Sequence, residues 1–230
     1  MTAASLADAA YERLRTALVH GEIEPGAAVV EAEVAGLLRM SRTPAREALL
    51  RLELEGYVQR DAAGRLVVHP PTAREIAETF MVRQLLEGHA IRLAASRISD
   101  AELSSLVELI RLDQRALRRR RVDELAGIND RIHTAILVAS RNRTLSELVS
   151  SLRARIYGLN AFVVGSQSDQ QRFVADHAEM VRCLRDGDDE AAVALVHDHL
   201  ARARDLLLAG LDGLGAAEPS FPRRLRVSAA

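Results

Sequence analysis

One stretch, from Ser41 to Gly56, constrains this chain more than any other. Pro44 falls where a helix tolerates proline, in the first turn, because the missing N–H has no intrahelical partner there. Leu49, Leu52 and the pair Leu50/Leu54 then recur at helical spacing, and Gly56 supplies a stop. Ser41, Arg42, Thr43 and Arg46 cluster at the N-terminal end, all able to donate hydrogen bonds to phosphates or base edges. A short helix that is cationic at its start and apolar behind it suits presentation to a DNA major groove. The same pattern also suits an ordinary surface helix with a Ser/Thr cap.

The flanking residues give that helix a setting. Leu6, Ala10, Leu14, Ala17 and Leu18 predict a helix over 6–20, stopped by Gly21 and followed by a Pro25-Gly26 turn. A second short helix is predicted from Glu31 to Arg39, and Met40-Ser41-Arg42 links it tightly to the next, which reads as helix-turn-helix. Two β-prone runs, 57–60 and 65–68, flank Asp61-Ala62-Ala63-Gly64 and predict a hairpin, which in this position is a wing. Pro70-Pro71 closes the unit, so residues 1–71 form the first predicted domain.

Beyond Thr72 every periodic segment is helical. A capping box at Thr72 and Glu75 opens a run through Ile76, Phe80, Val82, Leu85, Leu86, His89 and Leu93. Further helices are predicted from Ser99 through the Arg118–Arg121 run, and over 122–139, 142–163, 169–186 and 189–212. The arginine run reads as a solvated helix end favoured by the macrodipole. The predicted fold class is therefore mainly α: an N-terminal winged helix-turn-helix followed by an all-α antiparallel bundle of about six helices over 72–213. Residues 214–230, with Pro219, Pro222 and Arg223-Arg224, show no periodicity and are predicted to be a disordered tail.

Charge enters as a constraint on the DNA reading. The formal net charge is -1, and residues 1–71 hold eight Arg against ten Asp and Glu, so the position of the cations has to carry any affinity for nucleic acid. All 31 basic residues are Arg, a bias that fits a GC-rich coding sequence. Cys183 is the only cysteine, which excludes a disulfide framework and fits a reducing compartment. The N-terminus has no basic region ahead of an apolar stretch and no apolar run reaches membrane-spanning length; the expected location is cytoplasmic, with no membrane partner.

Four polar residues fall on apolar stripes of the bundle. Asn129 and His133 lie four apart beside Leu125, Ile132 and Ile136; His177 lies among Phe173, Val174, Met180 and Val181; His199 lies among Leu195, Val196, Ala203 and Leu206. His197 falls on another side of its helix. Each inward imidazole is satisfied either by a hydrogen-bond partner in the core or by a metal. Imidazoles from facing helices are how bundles build metal sites, and three with open positions suit Zn, Ni, Mn or Fe.

Together these features resemble the GntR superfamily of bacterial transcription regulators, in its branch with the FCD effector domain. The resemblance rests on Tyr11–Arg15, Gly21–Gly26, Ser41–Leu49, Leu52–Gly56 and Val82–Gly88, and spans roughly 10–208. It implies operator contacts from Ser41, Arg42, Thr43 and Arg46, with Arg65 as a wing candidate. Ala32 departs from the fatty-acid regulator for which the FCD branch is named, which has a DNA-contacting arginine there. The resemblance also implies a divalent metal held by Asn129, His133, His177 and His199, with Asn in place of the usual Asp. Arg83 resembles the inward arginine that clamps an effector carboxylate; its other reading is a helix-surface ion pair with Glu87.

The resulting expectation is a non-enzymatic regulator, a repressor that binds a pseudo-palindromic operator as a homodimer and senses a small carboxylate effector at the His-rich metal site. Two alternatives stand beside it. One is a metal-dependent enzyme acting on a small acid, against which there is no His-Glu-x-x-His, no nucleophile signature and no carboxylate evident beside the histidines. The other is a regulator with a metal-free, acyl-type effector pocket.

Overall fold

The computed structural model describes residues 5–19, 22–163 and 165–211, excluding the side chains of 19, 123, 154, 155 and 157–163. The predicted stop at Gly21 and the predicted tail at 214–230 lie outside the described residues. Among the described residues the chain divides into two compact units, 5–72 with 153–160 and 73–152 with 161–211.

The first unit holds α1 (Leu6–Val19), α2 (Glu31–Leu38), α3 (Arg42–Leu54), β1 (Val58–Arg60) and β2 (Leu66–Val68). Arg39 caps α2 in the left-handed conformation at φ 54°, and Ser41, extended, is the N-cap of α3, so the two helices turn within three residues. The core of the unit forms where Leu14 and Ala17 of α1 meet Ala45, Leu49 and Leu52 of α3. Of the leucines at helical spacing, Leu49 and Leu52 are buried together with Ala45 and Ala48, whereas Leu50 and Leu54 are exposed. The strands pair antiparallel with Val58 opposite Val68 and Arg60 opposite Leu66. Asp61 builds the turn by accepting the backbone N–H groups of Ala63 and Arg65, and Gly64 takes φ 77°, a conformation that favours glycine.

The second unit is built from α4 (Ala73–Ala95), α5 (Asp100–Arg118), α6 (Val122–Ala139), α7 (Arg143–Val163, apart from its 153–160 stretch), α8 (Gln167–Asp186) and α9 (Asp189–Leu211). Capping boxes at Ser99/Glu102 and Ser166/Asp169 start α5 and α8, and Gly187 in the left-handed conformation ends α8. α4 lies against α6, α8 and α9, and α5 against α6 and α8. The approach of α4 to α9 depends on Gly88, where an added Cβ would lie 2.6 Å from His197 Nε2. His197 Nε2 in turn bonds the Gln84 carbonyl at 3.0 Å, and Gln84 Nε2 donates to the His197 carbonyl at 3.0 Å.

The buried face of α4 differs from the apolar run expected for it. Ile76, Phe80, Arg83, Glu87, Gly88, Ala90, Ile91 and Ala94 are inside, whereas Val82, Leu85 and His89 are exposed. A charged pair therefore occupies the interior and three residues of the apolar run face solvent.

Candidate functional site

In the first unit Ser41, Arg42, Thr43 and Arg46 are all exposed at the start of α3, so that end of the helix is free to meet a ligand. Arg46 is held by Glu31, the first residue of α2, which accepts from Arg46 Nε at 2.8 Å. Arg65 lies at the hairpin turn, its guanidinium on the Asp61 carboxylate at 2.7 Å and its side chain largely exposed. These are surface ion pairs, each contributing at most ~1 kcal/mol, so both arginines can exchange a carboxylate for a phosphate or base edge.

In the second unit His133 from α6, His177 from α8 and His199 from α9 are all buried and converge. Each offers one ring nitrogen, and those nitrogens lie within 4.8 Å of one another. His133 Nε2 and His199 Nε2 are 3.2 Å apart. Two nitrogens on one tetrahedral zinc, each at about 2.0–2.1 Å, are separated by about 3.3 Å. Asn129 stands one turn before His133 on α6 and is half-buried.

The opposite nitrogen of each imidazole meets a carboxylate. His133 Nδ1 faces Glu87 Oε2 at 3.3 Å, His177 Nδ1 bonds Asp113 Oδ2 at 2.8 Å, and His199 Nδ1 bonds Asp176 Oδ2 at 3.2 Å. This corrects the expectation that no carboxylate stands beside the histidines. Asp176, although off the inward face of His177, reaches across to His199 and also accepts from Arg202. Such carboxylate–imidazole pairs fix the ring orientation and raise the basicity of the outer nitrogen, the usual support of a histidine metal ligand.

Electrostatics agree with that assignment. Burial pushes His199 down to about 3, with His177 and His133 adding to the fall and Asp176 only partly opposing it. A metal ligand has to be the neutral imidazole. Burial alone would raise Asp176, but its hydrogen bonds from His199 and Arg202 outweigh that and hold it below the usual carboxylate range. His177 Nε2 is buried with no hydrogen-bond partner. An orphaned ring nitrogen costs ~1–3 kcal/mol, which an ion at the convergence point would offset. The donor set present therefore fits a divalent metal.

Arg83 is inside the bundle, the place the resemblance implies, and the ion pair of its other reading is also present but buried. Its Nε donates to Glu87 Oε1 at 2.7 Å with both side chains buried, so this is no helix-surface ion pair. Glu87 thus links Arg83 to His133.

Residues 6–68 match the profile of bacterial regulatory proteins of the gntR family, and residues 78–202 match that of the FCD domain. The chain is a GntR-family regulator with an FCD domain. Its relatives include the Nta operon transcriptional regulator of Aminobacter aminovorans, 28% identical over 80% of this chain and 86% of the other. The transcriptional repressor RspR of Escherichia coli (strain K12) is 23% identical over 83% of each chain. Among solved structures, E. coli McbR/YncC superposes with a TM-score of 0.79 at 24% identity, covering 91% of this chain and 98% of its own. A GntR regulator from Rhodococcus sp. RHA1 superposes at 0.75 with 21% identity, covering 88% and 97%. Both share the fold. This regulator binds DNA, and no helix among its described residues is long and apolar enough to cross a membrane.

The sequence pattern placed neither Asp113 nor Asp176 behind a histidine, and it gave Glu87 only as a partner of Arg83. For Asp113 a signal existed: an acid in register with Leu106, Leu109, Ile110 and Ala116 on the buried stripe of α5.

Proposed function

We propose that this regulator is a repressor that binds a pseudo-palindromic operator as a homodimer through residues 1–71 and senses a small carboxylate through residues 72–213. Arg42 and Arg46 make base or phosphate contacts, Ser41 and Thr43 anchor phosphates, and Arg65 contacts DNA from the wing. His133, His177 and His199, with Asn129, hold a divalent ion (Zn, Ni, Mn or Fe), which when bound supplies positive charge and an open position for an oxygen anion. The observation that carries this reading is the convergence of the three buried imidazoles.

Charge narrows the effector. Glu87, Asp113 and Asp176 formally outweigh Arg83 and Arg202 by one negative charge. That surplus attracts a divalent cation, and with the cation counted the site carries one positive charge, matched by a single carboxylate. Arg83 supplies the clamp for that carboxylate, exchanging part of its bond to Glu87 for the ligand. Because Glu87 also touches His133, the exchange couples effector binding to the pose of α4 against α6, and operator affinity changes through the linked equilibrium.

The test is fluorescence anisotropy with DNA from upstream of the regulator's own coding sequence, with and without zinc, across a panel of small mono- and dicarboxylic acids. A monocarboxylate is expected to weaken binding in the presence of zinc and to have no effect after chelation. A response that survives chelation would sink the metal-dependent reading in favour of a metal-free pocket.

A further inference from the structure

Of the three carboxylates around the imidazoles, Asp113 differs from the other two. Glu87 shares its charge with Arg83 and Asp176 shares its own with Arg202, and they stand 3.3 Å and 3.2 Å from their imidazoles. Asp113 is 1% exposed, lies in an apolar stripe of α5, and pairs with no arginine among the described residues; its bond is to His177 Nδ1 at 2.8 Å. A carboxyl group buried in such a place requires a compensating use.

We propose that Asp113 is the positioning residue that commits His177 to metal coordination. A carboxylate can only accept, so the proton of the imidazole is placed on Nδ1. Nε2 is left as a bare lone pair, and Nε2 is the buried ring atom without a partner. Asp113 thus selects the one tautomer in which His177 can be a ligand. It also sets, one ring away from the ion, the negative charge that Asn129 does not bring. The inference rests on the metal reading above and adds the residue on which that reading depends most.

Replacing Asp113 by Asn keeps the shape but lets the side chain either donate or accept, so the tautomer is no longer dictated; the same exchange behind a catalytic histidine gives the wrong tautomer. Two measurements on the full chain test this. Long-range proton–nitrogen correlation of the histidine rings in metal-free protein is expected to place the proton of His177 on Nδ1 in wild type and at least partly on Nε2 in Asp113→Asn. Calorimetric titration with zinc chloride is expected to show a 10- to 100-fold loss of affinity in Asp113→Asn, while the melting temperature of the metal-free variant is unchanged or higher.

A wild-type His177 protonated on Nε2 overturns the proposal without recourse to any variant, which keeps it testable even if Asp113→Asn misfolds. Zinc affinity held within about threefold in a folded Asp113→Asn protein also overturns it. Wild type that takes up no zinc, with His177 protonated on Nδ1, overturns the metal reading beneath it and identifies Asp113 as a structural partner only.

Discussion

Arg83 and Glu87, one turn apart on α4, form an ion pair buried inside the bundle, and the second oxygen of Glu87 meets the Nδ1 of His133. The pair joins the arginine proposed to receive an effector to one of the imidazoles proposed to hold the metal. Removing one member of a buried pair leaves the other charge uncompensated. Glu87→Ala is therefore expected to lower stability by about 3–5 kcal/mol, measured by urea denaturation of the metal-free protein. Replacing both members by Met should cost clearly less than Glu87→Ala alone; an equal cost would mean that packing, not charge, governs the site.

His133→Ala is expected to abolish stoichiometric metal and the response to effector while leaving effector-free operator affinity within about twofold, because metal and DNA contacts reside in different units. Elemental analysis of protein purified without chelator, paired with anisotropy, reads both. Wild type carrying less than about a tenth of an equivalent would remove the metal site.

Arg46→Ala is expected to weaken operator binding about 5- to 150-fold, in line with ~1–3 kcal/mol for a lost base contact. Its ion-pair partner among the described residues is Glu31, in a surface pair, so thermal stability should barely change. Glu31→Ala should leave Arg46 free of that carboxylate and raise affinity for DNA at low salt, an effect lost as salt screens it. A variant Arg46→Ala that binds the operator as tightly as wild type would place the recognition surface elsewhere.

Acid should weaken the start of α5 in a defined direction. Hydrogen bonds from the Ser99 backbone and hydroxyl, aided by Arg141, hold Glu102 below its ordinary value of 4.5. A lowered folded value means that the unfolded chain binds the proton more readily, so the contribution of Glu102 is full above about 4.5 and is lost as pH falls through the folded value. The stability gap between wild type and Glu102→Ala should be present at pH 7 and close in strong acid; a gap of constant size would show that the carboxylate charge plays no part.

The α4 helix shows where local pattern stops being informative. Its boundaries follow from composition and spacing, but the periodic run through Val82, Leu85 and His89 points outward, and Arg83 and Glu87 point inward. Side-chain chemistry alone favours the opposite, since burying two charges costs more than exposing two aliphatic groups. Arg83 and Glu87 satisfy each other within one helical turn, and Glu87 reaches His133, 46 positions later in the chain. In α3, likewise, the leucine spacing marks a helix without saying which leucines are inside: Leu49 and Leu52 are buried with the smaller Ala45 and Ala48, and Leu50 and Leu54 are exposed.

Sequence by itself determined the order and kind of the elements, the winged helix-turn-helix with its exposed cationic helix start, and the three histidines, because capping, turn chemistry and helical period are local properties of the chain. Tertiary structure alone decided that Glu87, Asp113 and Asp176 each stand behind one of those histidines. Asp113 and His177 are 64 positions apart and Asp176 and His199 are 23 apart, on different helices. Their pairing arises only when packed helices bring distant acids to the back of each imidazole.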